Sequence, residues 1–287
     1  MVTSRIRLTI RYLFRAYRSL VTQSLFLATK VVYLLPRGAF VRSDLTTLLQ
    51  NRKSKIETDL GSLLLINNSW VTDLRMKNFS TAEPETLQWI RSFEADEVFW
   101  DVGANVGMYS LYAALGRHKV VALEPSPWNL EALTKNILQN NFGQLITVVP
   151  LAVSNQVTQT NFYVSNKYQT SGGAHHSIGN PIDQFGAQVL DRDALQVVTI
   201  SIDSLITIFK LPKPNHLKVD IDGLEFEVLQ GASETLSSVR SLLVECFPNH
   251  PERENLFVFL EQKGFCLESY SSSTSNSIWR NEKWLPQ

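Results

Sequence analysis

From residue 97 onward, short apolar runs alternate with longer amphipathic ones. The segments 97–102 (EVFWDV), 119–123 (KVVAL), 145–150 (LITVVP), 216–221 (HLKVDI) and 241–246 (SLLVEC) are mostly short and rich in β-branched residues. That pattern predicts buried parallel strands. Helical stretches lie between and after them at 106–116, 127–140, 223–238 and 251–263. Strand–helix alternation of this kind predicts an α/β fold with a doubly wound sheet. The gap between the third and fourth strands is longer. It holds an insert, 153–203, with a hairpin around 159–164, a Gly/His loop at 171–180 and a strand at 197–201. An insert at the carboxyl side of a parallel sheet is placed to cover a site.

Upstream, 56–79 carries alternating apolar patches (Leu63, Leu65, then Trp70 and Val71) and reads as short strands. Thr81–Thr86 reads as a helix start, with Pro84 and acids in the first turn, running to Phe93. Segment 5–21 reads as a basic amphipathic helix. At 100° per residue Ile6, Ile10, Leu13, Phe14, Tyr17, Leu20 and Val21 share one face, and Arg7, Arg11, Arg15 and Arg18 another. Such a helix suits an anionic membrane surface or an acidic partner; alternatively it packs on its own domain with the arginines solvated. The apolar run 19–36 carries Lys30, and its charge-free part is too short to span a bilayer, so no transmembrane helix is expected. No small-residue cleavage site marks a signal peptide, although an Arg-rich, acid-poor start has the composition of an organelle transit peptide. The expected organisation is a basic helical extension (1–55), lead-in strands and a helix (56–95), and the main domain (96–287).

Charge sharpens this division. The 287 residues have a formal net charge of zero, yet residues 1–55 hold eleven Lys/Arg and one acid, Asp44. The remainder is correspondingly acidic, which argues against a basic nucleic-acid binder as a whole. The two cysteines, Cys246 and Cys266, lack metal-type spacing. A reducing compartment follows, hence a cytoplasmic location, with peripheral membrane contact through residues 5–21 as an added expectation.

The chemistry centres on Asp101-Val-Gly-Ala-Asn-Val-Gly107, which follows a strand and opens a helix. Gly103 permits a tight turn and Gly107 a close helix–strand contact. Glu124 ends the next strand, where an acid accepts hydrogen bonds from ribose hydroxyls. A dinucleotide fingerprint would need Gly at 105 and 108, but the chain has Asn105 and Met108, and no Walker sequence is present. Asp101 could instead receive a cationic amino-acid end, as S-adenosylmethionine carries. Ala104 and Pro125 adjoin this set. Leu151, Ala152 and Val153, after the third strand, flank an adenine ring or simply pack the core.

Three segments resemble the FkbM family of S-adenosylmethionine-dependent methyltransferases. They are Phe99-Trp-Asp-Val-Gly-Ala-Asn-Val-Gly-Met-Tyr-Ser110, Ala122-Leu-Glu-Pro-Ser-Pro127 and Leu217-Lys-Val-Asp-Ile-Asp-Gly-Leu-Glu225. Glu83-Pro-Glu-Thr-Leu-Gln-Trp-Ile90 resembles the lead-in of one branch. The likeness covers roughly residues 56–270. It implies a class I, Rossmann-like methyltransferase fold and methylation of a hydroxyl on a sugar, glycan or small metabolite. It also places Asp101, Gly103, Asn105, Gly107 and Glu124 on the cofactor motif. Many members carry Glu where this chain has Asp222.

Methyl transfer to a hydroxyl needs an aligned acceptor and a base. In the fourth strand Lys218, Asp220 and Asp222 point one way, and Asp220 is the preferred base. Lys218 either pairs with Asp220 or lowers the acceptor's pKa. Asp220, Asp222 and Glu225 offer hard oxygens to a divalent metal, but Asp222 with Glu225 reads better as a helix cap, so no metal site is assigned. His175 and His176 in the insert loop are further base candidates, of which at most one acts, or they belong to an exposed polar loop. His216 reads as structural. One rival is a nucleic-acid methyltransferase using the basic arm. Against it, Asp-Ile-Asp-Gly replaces the Pro-Pro-aromatic motif that holds a flipped base, and no Pro precedes Cys246. A non-catalytic docking module is the other rival, and it would not need the intact motif.

Overall fold

The computed structural model describes residues 2–34, 38–165, 169–174, 176–181, 185, 187–188 and 192–284. The chain divides into two compact units, Met1–Arg52 and Lys53–Gln287. The first contains helices α1 (Val2–Tyr33) and α2 (Gly38–Gln50). The helix expected over 5–21 thus continues through the apolar run, which holds neither Gly nor Pro until Pro36.

The second unit opens with a hairpin of β1 (Lys53–Thr58) and β2 (Gly61–Ile66). Next comes α3 (Trp70–Lys77), where the alternating pattern predicted strand. Ser69 decides the matter. Its hydroxyl accepts from the Thr72 amide at 3.0 Å, and the Thr72 hydroxyl accepts from the Ser69 amide at 3.2 Å, a reciprocal cap. The short α4 (Phe79–Ala82) leads into α5 (Pro84–Arg91), with Pro84 in its first turn as expected.

The strand–helix alternation follows: β3 (Val98–Val102), α6 (Met108–Leu115), β4 (Lys119–Leu123), α7 (Pro127–Gln139) and β5 (Ile146–Val149). The insert contributes β6 (Ala152–Val153), β7 (Thr158–Ser165), β8 (Ser177–Ile178) and β9 (Arg192–Ile200). These form a sheet of their own, in the order β6-β9-β7-β8. The local hairpin expected at 159–164 is therefore one long strand, whose main antiparallel partner is β9. After it come α8 (Ile202–Phe209), β10 (His216–Val219), α9 (Glu225–Gln230), β11 (Ser241–Glu245), α10 (Arg253–Gln262), β12 (Phe265–Tyr270) and β13 (Asn276–Asn281). The helix expected over 223–238 is interrupted. Glu234 and Thr235 donate their amides to Asp203 at 3.0 and 2.9 Å, and a 3₁₀ turn completes the stretch. The polar hairpin β12–β13 carried no strand signal.

The main sheet runs β12-β13-β11-β10-β3-β4-β5, with β3, β4, β5, β10 and β11 parallel and β13 antiparallel to β11. Its order reverses between β3 and β10, the switch point where open α/β sheets bind ligands. Residue alternation sorts its two faces. Phe99, Val120 and Leu243 pack on the side of α5, α6 and α7, whereas Trp100, Val121 and Leu242 pack on that of α8, α9 and α10. At the amino edge, His216 is stacked on Phe93 at 3.7 Å and bonded to Glu97 and Ser241, both at 2.7 Å. Burial holds its pKa below the ordinary value despite Glu97, in keeping with the structural reading.

Candidate active site

Because Leu217 and Val219 belong to the second face, Lys218 turns to the first. Parallel register sets Lys218 opposite Asp101 on one side and Leu243 on the other. Two residues along, Asp220 and Glu245 follow with the same parity. The topology therefore gathers one cation and three carboxyls from β3, β10 and β11.

A cavity of about 320 Å³ opens at the carboxyl ends of these strands. The Gly103–Val106 turn and Glu124 form part of its wall, and Leu151 and Val153 also line it. The turn is conformationally demanding. Gly103 has φ +88°, and a Cβ there would lie 1.9 Å from the Asp220 carbonyl oxygen. Glu124 Oε2 accepts from the Asn105 amide at 2.8 Å, and Oε1 accepts from the Ser126 amide at 2.8 Å. Burial nonetheless pushes the Glu124 carboxyl up to about 7. The insert is pinned to the same network. The side-chain Nδ2 groups of Asn105 and Asn129 both donate to Gly173 O, at 2.9 and 3.0 Å, and Asn129 Oδ1 accepts from the Gly172 backbone amide at 2.9 Å. So residues 171–174 roof the cavity by hydrogen bonds to the motif itself.

Beside the turn, Lys218 Nζ donates to Asp220 Oδ2 at 2.5 Å and lies 5.1 Å over the Tyr109 ring. Lys218 is 1% exposed and Asp220 28%. Burial alone would push the ammonium's pKa down, but Asp220, Glu83 and Asp101 reverse this and leave it above the ordinary lysine value. Burial likewise opposes the Asp220 charge, yet Lys218 and a hydrogen bond from Glu245 hold its pKa below the usual range. Glu245 is displaced the other way, by burial and then by the Asp220 charge. The two carboxyls are thus pushed in opposite directions, Asp220 toward the charged form by Lys218 and Glu245 toward the neutral form by burial. Glu83 accepts from Thr86 and Asn276, at 2.8 and 3.1 Å, and Arg75 Nε donates to Gly172 O at 3.0 Å.

Residues 101–267, more than half of the chain, match the family described as the methyltransferase FkbM domain. The chain belongs to the FkbM methyltransferase family. Its relatives include the hexuronic acid methyltransferase AglP of Haloferax volcanii, 31% identical over 152 residues, which are 53% of this chain and 56% of that protein. The methyltransferase sdnD of Sordaria araneosa is 27% identical over 189 residues, covering 58% and 72% of the two chains. This FkbM-family chain thus spans little more than half the length of the first. A solved FkbM methyltransferase from Methylobacillus flagellatus, 18% identical, aligns over 85% of this chain and 60% of its own with a TM-score of 0.45.

Of the residues singled out from sequence, Gly103, Ala104, Asn105, Glu124, Pro125, His176, Lys218, Asp220 and Asp222 line the one cavity. Others do not. Asp101 was expected to meet a cationic ligand directly, but it is 1% exposed behind the wall, and its Oδ2 accepts from the Ser110 hydroxyl at 2.6 Å. Burial, its largest influence, raises its pKa. Ala152 does not line the cavity: side chains alternate along this segment, and its neighbours Leu151 and Val153 are the ones on the wall. Gly107 serves packing: at φ +86° its missing Cβ would lie 2.4 Å from Leu133 on α7, so the close contact is with a helix rather than a strand. Gly107→Ala should cost about 1–3 kcal/mol, through backbone strain and overpacking, in a urea denaturation series.

Glu225 is no open ligand either. Its Oε1 accepts from the Ile221 and Gly223 amides, both at 3.1 Å, and α9 starts at Glu225 rather than at Gly223. Asp222 sits in the left-handed region at φ 61°. Among the described residues no group of three His, Cys, Asp or Glu side chains is placed to hold a metal. His175 lies outside the described residues. Sequence reading missed Glu83, Arg75, Tyr109, Asn129 and Glu245, which also line the cavity. Glu245 had a signal of its own, an acid at the end of an otherwise apolar strand, and Glu83 and Tyr109 lie within segments that carry the family resemblance.

Proposed function

We propose that this chain is an S-adenosylmethionine-dependent methyltransferase whose acceptor is a hydroxyl of a sugar, glycan or related metabolite. The observation that carries the reading is the single cavity joining the Gly103–Val106 turn and Glu124 to the Lys218–Asp220–Glu245 set. The residues present fit such a cofactor: an acid for ribose hydroxyls, apolar Leu151 and Val153 for a purine, and no phosphate cradle. Several carboxylates stand nearby for a cationic amino-acid end. When bound, S-adenosylmethionine supplies an electrophilic methyl group on a sulfonium. The relative's hexuronic acid substrate supports a carbohydrate acceptor here.

In this reading Asp220 accepts a hydrogen bond from the acceptor hydroxyl and takes its proton as the oxygen gains the methyl group. Lys218 fixes the Asp220 carboxylate and keeps it ionised. Glu245, carrying a proton, donates to Asp220 and steadies the same charge. Residues 171–174 exclude water above the turn. Carboxylates suit polyhydroxylated acceptors, because each hydroxyl can donate to one.

Calorimetric titration with S-adenosylmethionine tests this. Glu124→Gln should bind about tenfold or more weakly, since a charge-assisted pair of ribose bonds is lost. With the Glu124 carboxyl raised to about 7 by burial, the free protein is protonated there below pH 7. Cofactor affinity should therefore rise with pH between about 6 and 8, by up to about tenfold, as the carboxylate forms. The Gln variant should lack this component. Absence of binding at millimolar cofactor would end the enzyme reading.

A further inference from the structure

The Met1–Arg52 unit carries chemistry that methyl transfer does not use. Leu20, Leu25, Phe26, Leu27, Leu48 and Leu49 are each more than half exposed on α1 and α2. Soluble surfaces seldom present so many large apolar side chains together. Leu25, Phe26 and Leu27 are consecutive, so they project in three directions around the helix axis. A rigid groove would have to match this uneven apolar surface, whereas a fluid bilayer interface adapts its shape to it. Among the described residues no helix is long and apolar enough to cross a membrane. A bilayer would therefore be met in its plane.

Charge selects among the partners. Residues 1–55 hold eleven Lys/Arg against Asp44. On α1 the 100° spacing sets Arg7, Arg11, Arg15 and Arg18 on an arc beside the apolar one. A second copy of this unit would bring like charge against like charge. Anionic headgroups instead offer phosphates along the whole length of the helix, with hydrocarbon directly beneath. We propose that residues 2–52 bind the surface of an anionic bilayer, with α1 lying in the headgroup layer and its arginines on lipid phosphates. This membrane contact is independent of the acceptor's identity.

Sedimentation of the full chain with vesicles tests it. Vesicles of phosphatidylcholine mixed with phosphatidylglycerol should carry the protein down at least tenfold better than phosphatidylcholine alone. Raising salt from about 50 to about 500 mM should weaken this binding, as screening requires. A quadruple variant, Arg7→Gln, Arg11→Gln, Arg15→Gln and Arg18→Gln, should lose tenfold or more. Leu20→Ser with Phe26→Ser and Leu27→Ser should lose binding even at low salt. Both variants should keep the wild-type cofactor affinity, which shows that residues 53–287 are folded. No binding to mixed vesicles at low salt would overturn the proposal. So would a concentration-dependent dimer by light scattering that the Ser variant abolishes, since the face would then belong to a second copy.

Discussion

Asp220→Asn is expected to lower kcat by about 10²- to 10⁴-fold, the usual range for loss of a positioned base. Cofactor affinity should stay within about threefold, because the substitution leaves Glu124 and the backbone of the Gly103–Val106 turn unaltered. Asparagine keeps the shape but can neither take a proton nor balance Lys218. The wild-type pH profile adds a second reading. Asp220 is held below the usual carboxylate range, against its burial, by Lys218 and the bond from Glu245. The acid limb of kcat due to this group should therefore lie below about pH 4, where free aspartic acid titrates. Single-turnover methylation of an accepted sugar, measured beside calorimetric cofactor binding, separates the two effects. Turnover that survives with binding intact would remove Asp220 from the base role and leave it a positioning residue for the acceptor.

The same residues show what sequence could and could not supply. Strand positions were legible because β3, β4, β5 and β11 are mostly apolar runs, and β10 alternates Leu217 and Val219 with polar residues. Parity then put Lys218 and Asp220 on one side of the fourth strand before any coordinates. Glu245 escaped because its relevance depends on strand order: only once β11 lies beside β10 does an acid at position 245 meet one at 220. Arg75 had no local signal, and Glu83 stood out only as the first residue of the lead-in segment. They come from the lead-in helices and reach the site through tertiary packing. Asp101 shows the opposite failure. The motif marks its position, but its burial behind the wall follows from packing against Ser110 and Lys218, which the linear order of the motifs does not show. The strand expected at Trp70–Val71 failed on capping, since the Ser69–Thr72 pair outweighed two residues of alternation.

Lys218→Met should destabilise the fold by about 3–5 kcal/mol near pH 7, the cost of leaving buried carboxylates without their cation. Methionine matches the stem of the side chain, so little cavity is created and the loss reports charge. Three groups depend on the ammonium: Asp220, bonded at 2.5 Å, and the carboxyls of Glu83 and Asp101 nearby. The sign with pH follows from the two displaced pKa values. The lysine's value is raised in the folded chain, so its contribution is present below its ordinary pKa of 10.5 and fades only as pH rises beyond it. That of Asp220 is lowered, so its contribution is present above 3.8 and fades as pH falls through the folded value. The pair is therefore fully stabilising across the neutral range, and the variant's deficit should shrink toward pH 3–4, where the orphaned Asp220 carboxylate takes up a proton. In the variant, Asp220 should titrate above its ordinary value instead of below it, because burial then acts unopposed by the ammonium. Urea unfolding at pH 7 and pH 4 measures the difference directly. A deficit of the same size at both would mean that Lys218 stabilises by packing alone. Asp220 would then be held ionised by something other than the ammonium, and its assignment as the base would lose its electrostatic footing.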